Sequence, residues 1–149
     1  EWVGPYDDEK LGFHKVARNY YYPGWWEPGS SIDHYVNRTA WDKLPAAYQT
    51  AFATATAEAG AWMMSTYDHE NPAALARLLA HGVALRKFPD DVMAEAEKVS
   101  TALMEERAAG DAQYNKVYAH WKKFRQESFR WFGTAELAYQ AFAFPRGQG

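Results

Sequence analysis

The longest regular pattern of apolar and polar positions lies in the middle of the chain, after Pro45. Apolar side chains recur there with the three-or-four-residue spacing of one helix face. They are Tyr48, Phe52, Ala55, Ala59, Trp62 and Met63, followed by Leu75, Leu78 and Leu79. Because proline lacks an N–H and clashes with the preceding turn, Pro72 predicts a kink or a second helix capped by Asn71. Gly82 is predicted to end the pattern.

Two further helices are predicted on either side of this region. The first follows Pro5, and Asp7 or Asp8 is a candidate cap. The second opens at residues 89–91, Pro-Asp-Asp, where carboxylates suit the positive end of the helix dipole, and ends at Gly110.

The last predicted helix is long and aromatic. It covers residues 112–142 and is expected to bend at Gly133. Its ring-bearing positions include Tyr114, Tyr118, Trp121, Phe124, Phe129, Trp131 and Phe132. This is more aromatic surface than one helix needs for packing on its own domain.

Strands are few and short in this sequence. Aromatic or alternating apolar residues predict strands at 20–22, 31–37 and 83–88. Three short strands separated along the chain make a poor sheet by themselves. The expected architecture is therefore a mostly helical piece of an α/β protein, with further strands supplied from elsewhere.

Composition narrows the function classes. The 149 residues suffice for one domain, and a net charge of -3 gives no sign of a nucleic-acid surface. The chain has no cysteine, which excludes disulfides and thiolate metal sites, and no apolar run approaches the roughly 20 residues of a membrane helix. The opening EWVGPYDD lacks the basic and apolar leader of an export signal, and a signal upstream of it stays compatible with the sequence.

One stretch has an unusual arrangement of residue types. In YYYPGWWEPG, residues 20–29, five aromatic side chains surround the single carboxylate of Glu27, and Pro-Gly pairs lie on both sides of it. Taken alone, Glu27 fits a solvated loop acid, and Trp25 and Trp26 fit core or lid packing.

Three segments together resemble a known family. They are EWVGPYDDEKLGF at residues 1–13, the stretch from the triple tyrosine to Pro45, and AAYQTAFATATAEAGAWM at residues 46–63. They are similar to the C-terminal half of the substrate-binding proteins of TRAP transporters, in the branch that binds 2-oxo acids, lactate and similar monocarboxylates. The resemblance covers essentially the whole chain.

The resemblance implies a function and a location. Such proteins are bacterial and periplasmic, or otherwise extracytoplasmic. They have two α/β lobes, in the manner of periplasmic binding proteins, that close on an organic acid and deliver it to membrane permease subunits without catalysing a reaction. Residues 1–149 would be the C-terminal portion of such a protein.

The resemblance also implies a cation site. In this branch a sodium or calcium ion bridges the substrate carboxylate to the protein. The matching ligands here are Glu1, the backbone carbonyl of Trp2, and Glu27. The arginine that pairs with the substrate and a side-chain amide on the cation belong to the N-terminal part of the family, and neither Arg18 nor Arg38 matches that arginine.

Simple electrostatics agrees with a bridging ion. Two carboxylates about 4 Å apart repel each other by about 1 kcal/mol in water and by about 4 kcal/mol at an effective dielectric near 20. A hard cation between Glu1, Glu27 and the substrate reverses this sign, and oxygen atoms are the ligands that sodium and calcium prefer. The substrate would then lie against Trp2, Trp25, Trp26 and Glu27, where the indole rings exclude water.

The aromatic last helix has two interpretations. In some 2-oxo acid members of the family the C-terminal helix swaps between partners, so residues 112–142 are a candidate homodimer element. Packing of this helix on its own lobe is the alternative.

Two other functions compete with solute binding. A structural fragment would keep the helices and lose ligand binding because the family's arginine lies in the absent part. A metal-dependent hydrolase would use Glu27, Asp33 and His34, although the five histidines show no HExxH spacing. The sequence names neither the acid nor the choice between sodium and calcium.

Overall fold

The computed structural model describes residues 3–26 and 32–147. Its elements are α1 (Pro5–Leu11), β1 (Asn19–Tyr22), α2 (Arg38–Asp42), α3 (Ala46–Ala80), β2 (Ala84–Lys87), α4 (Asp90–Gly110), α5 (Ala112–Phe132) and α6 (Ala138–Ala143). Short 3-10 turns at Phe13–Lys15 and Phe144–Arg146 and a π-helical turn at Gly133–Leu137 complete the list. The chain divides into two compact units, residues 1–93 and 94–149. The mostly helical architecture predicted from the sequence is confirmed.

The sheet of the first unit pairs β1 with β2 in parallel, with Asn19 opposite Ala84 and Tyr22 opposite Lys87. Parallel neighbours need a long crossover, which the segment containing α2 and α3 provides. In the described part of the chain this sheet has two strands, so the strand predicted at 31–37 is wrong for residues 32–37. An isolated strand has no ladder to join, and Asn37 instead accepts a hydrogen bond from the Ala40 N–H (3.1 Å) and caps α2.

The long helix α3 is continuous through Pro72. The predicted restart at Asn71 is therefore wrong, and the reason is tertiary. One face of α3 is buried through Ala74 and Leu78, so packing outweighs the hydrogen bond that Pro72 cannot donate. The helix ends as predicted before Gly82, whose φ of 84° is the left-handed conformation that favours glycine.

In the second unit, α4 and α5 are linked by polar contacts around a buried tyrosine. Asp111 caps α5 by accepting hydrogen bonds from the N–H groups of Gln113 (2.8 Å) and Tyr114 (3.0 Å). The Tyr118 hydroxyl lies 3.0 Å from the Glu105 carboxylate, which also pairs with Lys122. Hydrogen bonds from Lys122 and then Tyr118 hold the pKa of Glu105 below its usual value.

The C-terminal segment follows the predicted long helix, with a π-helical turn inside it from Gly133 to Leu137. Its bend was expected at Gly133, where this turn begins. Large apolar side chains on this segment are exposed, among them Phe124, Phe129, Trp131, Leu137, Tyr139 and Phe142. None of the helices in the described ranges combines the length and the apolar character that a membrane span requires.

Candidate functional site

The predicted site residues fall into two groups. Glu1, Trp2 and Glu27 lie outside the described residues. Trp25 and Trp26 lie within them, directly before the second gap. The structure therefore describes the surroundings of the predicted site rather than its three proposed cation ligands.

A cavity of about 690 Å³ lies in the first unit, and Trp26 forms part of its wall. Its wall is formed by residues 3–5 at the start of α1, by residues 19–24 of β1 and the following turn, and by Trp26. The remaining lining residues are Asp8, Phe13, His14, Val16, Ala17, Leu78, Val83 and Phe88. The lining is predominantly apolar, and such a wall excludes water from a polar ligand group held within it.

Aromatic rings form one side of this cavity. Trp26 packs edge-on against Phe88, with 6.2 Å between ring centroids, and Phe88 stacks on Tyr21 at 5.0 Å. Trp25 contacts Trp26 edge-to-face at 5.4 Å but is not among the residues that line the cavity. Of the two tryptophans predicted as substrate contacts, Trp26 is thus the one at the cavity wall. The Tyr22–Pro23 peptide bond before them is cis.

A buried carboxylate at the cavity was not predicted as part of the site. Asp8 is 3% exposed, and its Oδ2 accepts a hydrogen bond from the Tyr20 hydroxyl at 2.5 Å. The sequence predicted Asp7 or Asp8 as the cap of α1, whereas the observed N-cap is Gly4 and no side chain of this turn caps the helix. Asp7 and Asp8 are adjacent in the first turn of α1, so the sequence does not show which of the two side chains faces inward.

Two histidines meet at the edge of the cavity. His14 lines it and stacks on His81 at the end of α3, with ring centroids 5.3 Å apart and ring planes 17° apart. The Nδ1 atom of His14 is buried and has no hydrogen-bond partner within the described ranges. No local pattern in the sequence joins these two histidines, because they come from positions far apart in the chain.

Helix α1 is fastened to α3 by side chains on both. The Asn71 Oδ1 accepts a hydrogen bond from the Tyr6 N–H at 3.0 Å, and the Tyr67 hydroxyl donates to Asp7 Oδ2 at 2.7 Å. Because these contacts hold the start of α1, they also set where residues 3–5 meet the cavity.

An ion pair fastens the end of α1 to the same helix. Arg77 pairs with Glu9 in the two-bond geometry typical of arginine and carboxylate, with Nε–Oε1 and Nη2–Oε2 distances of 2.8 and 2.7 Å. The Arg77 hydrogen bond lowers the pKa of Glu9, and Glu9 in turn raises the pKa of Arg77. The carboxylate of Glu9 is therefore engaged with Arg77.

The residues of the hydrolase alternative lie at a different place. Asp33 and His34 line a second, more open cavity of about 630 Å³ together with Arg38. His34 packs edge-on against Phe52, and Asp33 accepts a hydrogen bond from Tyr35 at 3.3 Å. Among the described residues, no three His, Asp or Glu side chains are grouped so as to hold a metal ion.

Neither arginine set aside in the sequence lines the larger cavity. Arg18 donates to the His81 carbonyl at 2.9 Å, and Arg38 pairs with Asp42 on α2. The described part of the chain therefore brings no arginine to the wall beside Trp26.

Comparison with known proteins gives the family. The model of bacterial extracellular solute-binding proteins, family 7, also called DctP, matches residues 1–111. The chain belongs to this family. The resemblance inferred from its sequence is thus confirmed, and the matched range includes every described residue that lines the cavity.

This family 7 chain is similar to a protein of Nostoc sp. (strain PCC 7120). It is 51% identical over 143 residues to a monocarboxylate 2-oxoacid-binding periplasmic protein of that organism. The alignment covers 96% of this chain and 39% of the relative.

A solved structure is also similar to it. It is a TRAP transporter solute-binding protein from Bordetella bronchiseptica RB50, with 44% sequence identity and a TM-score of 0.93. That structure is a mixed-occupancy dimer, with copurified calcium and picolinate in one active site and an apo second site. The match covers 98% of this chain and 44% of the Bordetella chain. The family 7 chain therefore spans about two fifths of the length of these two relatives.

Proposed function

We propose that this chain contributes the cation-binding wall of an extracytoplasmic, TRAP-type solute-binding protein for small monocarboxylates. The protein captures a 2-oxo acid or 2-hydroxy acid through a bridging calcium or sodium ion and delivers it to the membrane permease. It binds and releases its ligand without chemical turnover. The Nostoc relative and the calcium and picolinate of the Bordetella structure support the ligand class and the ion.

One structural observation carries the proposal. Val3 and Trp26 line the same cavity. Trp2 directly precedes Val3 in the sequence, and Glu27 directly follows Trp26. Both predicted ligand segments therefore join the described chain at one cavity, although 22 residues, 4–25, separate Val3 from Trp26.

The donor set suits a hard cation. Glu1 and Glu27 would supply carboxylate oxygens and Trp2 a carbonyl oxygen, and the chain has no cysteine that would favour a softer metal. Glu1, the Trp2 carbonyl and Glu27 would hold the cation, which would offset part of the negative charge of the two protein carboxylates and of the ligand. The apolar cavity wall keeps water away, which strengthens these charge interactions.

The experiment uses the full-length protein and isothermal titration calorimetry with pyruvate and lactate, in calcium, in sodium and in a chelator. We expect binding that requires one of the two cations. Glu27→Gln should weaken the cation-dependent affinity, because it removes a charged ligand while keeping the size of the side chain. Asp33→Asn is the matched control, since Asp33 lies at the other cavity. Unchanged affinity in Glu27→Gln would refute the assignment of Glu27.

A homodimer is the second part of the proposal. The exposed rings of α5 and the segment after it, such as Trp131 at 65% exposure, are surface that a partner would cover. We infer that residues 112–142 form this interface, and the dimeric state of the Bordetella protein supports the inference.

The chain by itself is expected not to bind the acid. Its cavity contains no arginine among the described residues, and the family resemblance assigns the arginine that pairs with the ligand to the N-terminal part of the protein. Titration of the 149-residue chain beside the full-length protein separates this alternative from solute binding. Binding by the longer protein alone supports the fragment interpretation for this chain.

A further inference from the structure

Helix α1 lacks a side-chain cap of its own. Its N-cap is Gly4, Pro5 follows, and the first N–H groups of a helix have no partner within the helix. The Tyr6 N–H nevertheless has one, because Asn71 of α3 accepts it at 3.0 Å. Asn71 therefore acts as a side-chain cap for α1, although it lies 65 residues away in the sequence.

The contact between Gly4 and Asn71 is also very close. A Cβ atom added to Gly4 would lie 2.8 Å from Asn71 Oδ1 and 2.9 Å from Nδ2. The φ of Gly4 is −104°, which any residue adopts, so space rather than backbone conformation requires glycine here. Gly4 and Asn71 therefore fit each other as a pair.

The amide of Asn71 is held in this position from several directions. Asn71 shares a face of α3 with the buried Ala74 and Leu78, which fixes the helix against the rest of the unit. Tyr67 and Arg77 bind Asp7 and Glu9 of α1 on either side of it. A shift of the α1 N-terminus along α3 would break these contacts together.

We propose that Asn71 is a positioning residue for the cation site. It fixes the backbone at Gly4, and Val3 immediately before Gly4 lines the cavity. The two residues before Val3 in the sequence are the proposed cation ligands Glu1 and Trp2, and the amide of Asn71 holds the chain at Gly4 and Tyr6, directly after this segment. This inference rests on the proposed function.

The test compares variants of the full-length protein by calorimetry, measuring calcium affinity and stoichiometry in saturating pyruvate well below the melting temperature. Asn71→Leu removes the acceptor at similar volume, and we expect calcium affinity to fall about 10-fold, the lower end of the effect of losing a direct partner of a metal ligand, because Asn71 acts through the backbone at Gly4 and Tyr6. Asn71→Asp keeps a side-chain oxygen that can accept the Tyr6 N–H, so the calcium affinity of this variant should stay near the wild-type value. The calcium stoichiometry of both Asn71 variants should equal that of the wild type. A positioning defect lowers the affinity of every molecule, whereas a folding defect lowers the fraction of molecules that bind.

Glycine variants test the same contact from the other side. Gly4→Ala should weaken calcium binding as Asn71→Leu does, and the double variant Gly4→Ala/Asn71→Ala should lose less than the sum of its single variants, since the clash is absent. Gly60→Ala is the matched control, because Gly60 lies in α3 with no atom within 4 Å of an added Cβ. Amide hydrogen exchange at Tyr6 should speed up in Asn71→Leu and stay slow in Asn71→Asp.

The outcomes separate this inference from the function on which it rests. Normal calcium affinity in both Asn71→Leu and Gly4→Ala, with cation-dependent binding in the wild type, overturns the role of Asn71 alone. Wild-type protein that binds the acid regardless of cation overturns the proposed function, and this inference with it.

Discussion

Replacing Leu78 by alanine tests the packing that places α3 behind the cavity. Leu78 is 1% exposed and is the largest fully buried side chain among the described residues. It also lines the cavity, so a truncated side chain would merge its own volume with existing empty space. The surrounding structure has little opportunity to close that gap.

The magnitude follows from two contributions. Removing the buried methyl and methylene groups of leucine loses their transfer free energy, and the unfilled volume adds a further cost. For fully buried leucines the sum is about 3 to 5 kcal/mol. Leu79 is the neighbouring residue on the same helix and is 41% exposed, so Leu79→Ala should cost only about 1 kcal/mol. Helix propensity changes equally in both variants and cancels in the comparison.

Urea denaturation of the 149-residue chain, followed by far-UV circular dichroism, measures both variants against the wild type. We expect the midpoint of Leu78→Ala to fall at least twice as far as that of Leu79→Ala, with similar slopes. Equal losses of unfolding free energy would show that Leu78 is not the packed centre of this helix face, and the reasoning from burial would be wrong.

Two further predictions concern the ion pair on α1 and the exposed rings of the C-terminal segment. Because the hydrogen bond from Arg77 lowers the folded-state pKa of Glu9 below its ordinary 4.5, the pair stabilises the fold above that pH and its contribution is lost as pH falls through the lowered pKa. Glu9→Gln should therefore flatten the acid side of the urea midpoint against pH, and an unchanged acid limb would contradict the pairing. Full-length protein at micromolar concentration should scatter light as a dimer, and Trp131→Asp should shift it toward monomer, whereas a monomeric wild type would rule out the interface proposed for residues 112–142.

Local patterns predicted the elements whose causes are local. The acidic opening of α4 and the stop at Gly82 each depend on residues within a few turns, and each was found where expected. The helix predicted after Pro45 was also found, but its apolar stripe is only partly buried, since Leu78 is enclosed whereas Tyr48 and Trp62 are exposed. The strands at 20–22 and 83–88 were also found, and each end agrees to within one residue.

The errors came from partners distant in sequence. One of the two outcomes predicted at Pro72 was a new helix capped by Asn71, but the partner of Asn71 is Tyr6, 65 residues earlier. Residues 32–37 have the alternation of a strand, but no neighbouring strand pairs with them in the described structure. The buried pair of Asp8 and Tyr20 was missed for the same reason, since aspartates shortly after a proline usually indicate a helix cap.

The candidate site, too, could be predicted from the sequence only in part. Composition and electrostatics explain why two acids near an anionic ligand need a cation, but only the family resemblance selected Glu1, Trp2 and Glu27. The structure adds that Val3 and Trp26, their sequence neighbours, line one cavity. The proposed role of Asn71 in positioning residues 3–5 of that wall could not be predicted from the sequence, because no local pattern joins Asn71 to Gly4.

The most direct test of the bridging ion is a crystal structure of the full-length protein grown with calcium and pyruvate, with anomalous data collected to locate the metal. We predict one calcium peak at the cavity, about 2.3 to 2.6 Å from oxygen atoms of Glu1, the Trp2 carbonyl, Glu27 and the pyruvate carboxylate. Pyruvate bound in the closed protein with no metal between its carboxylate and these residues would contradict the account.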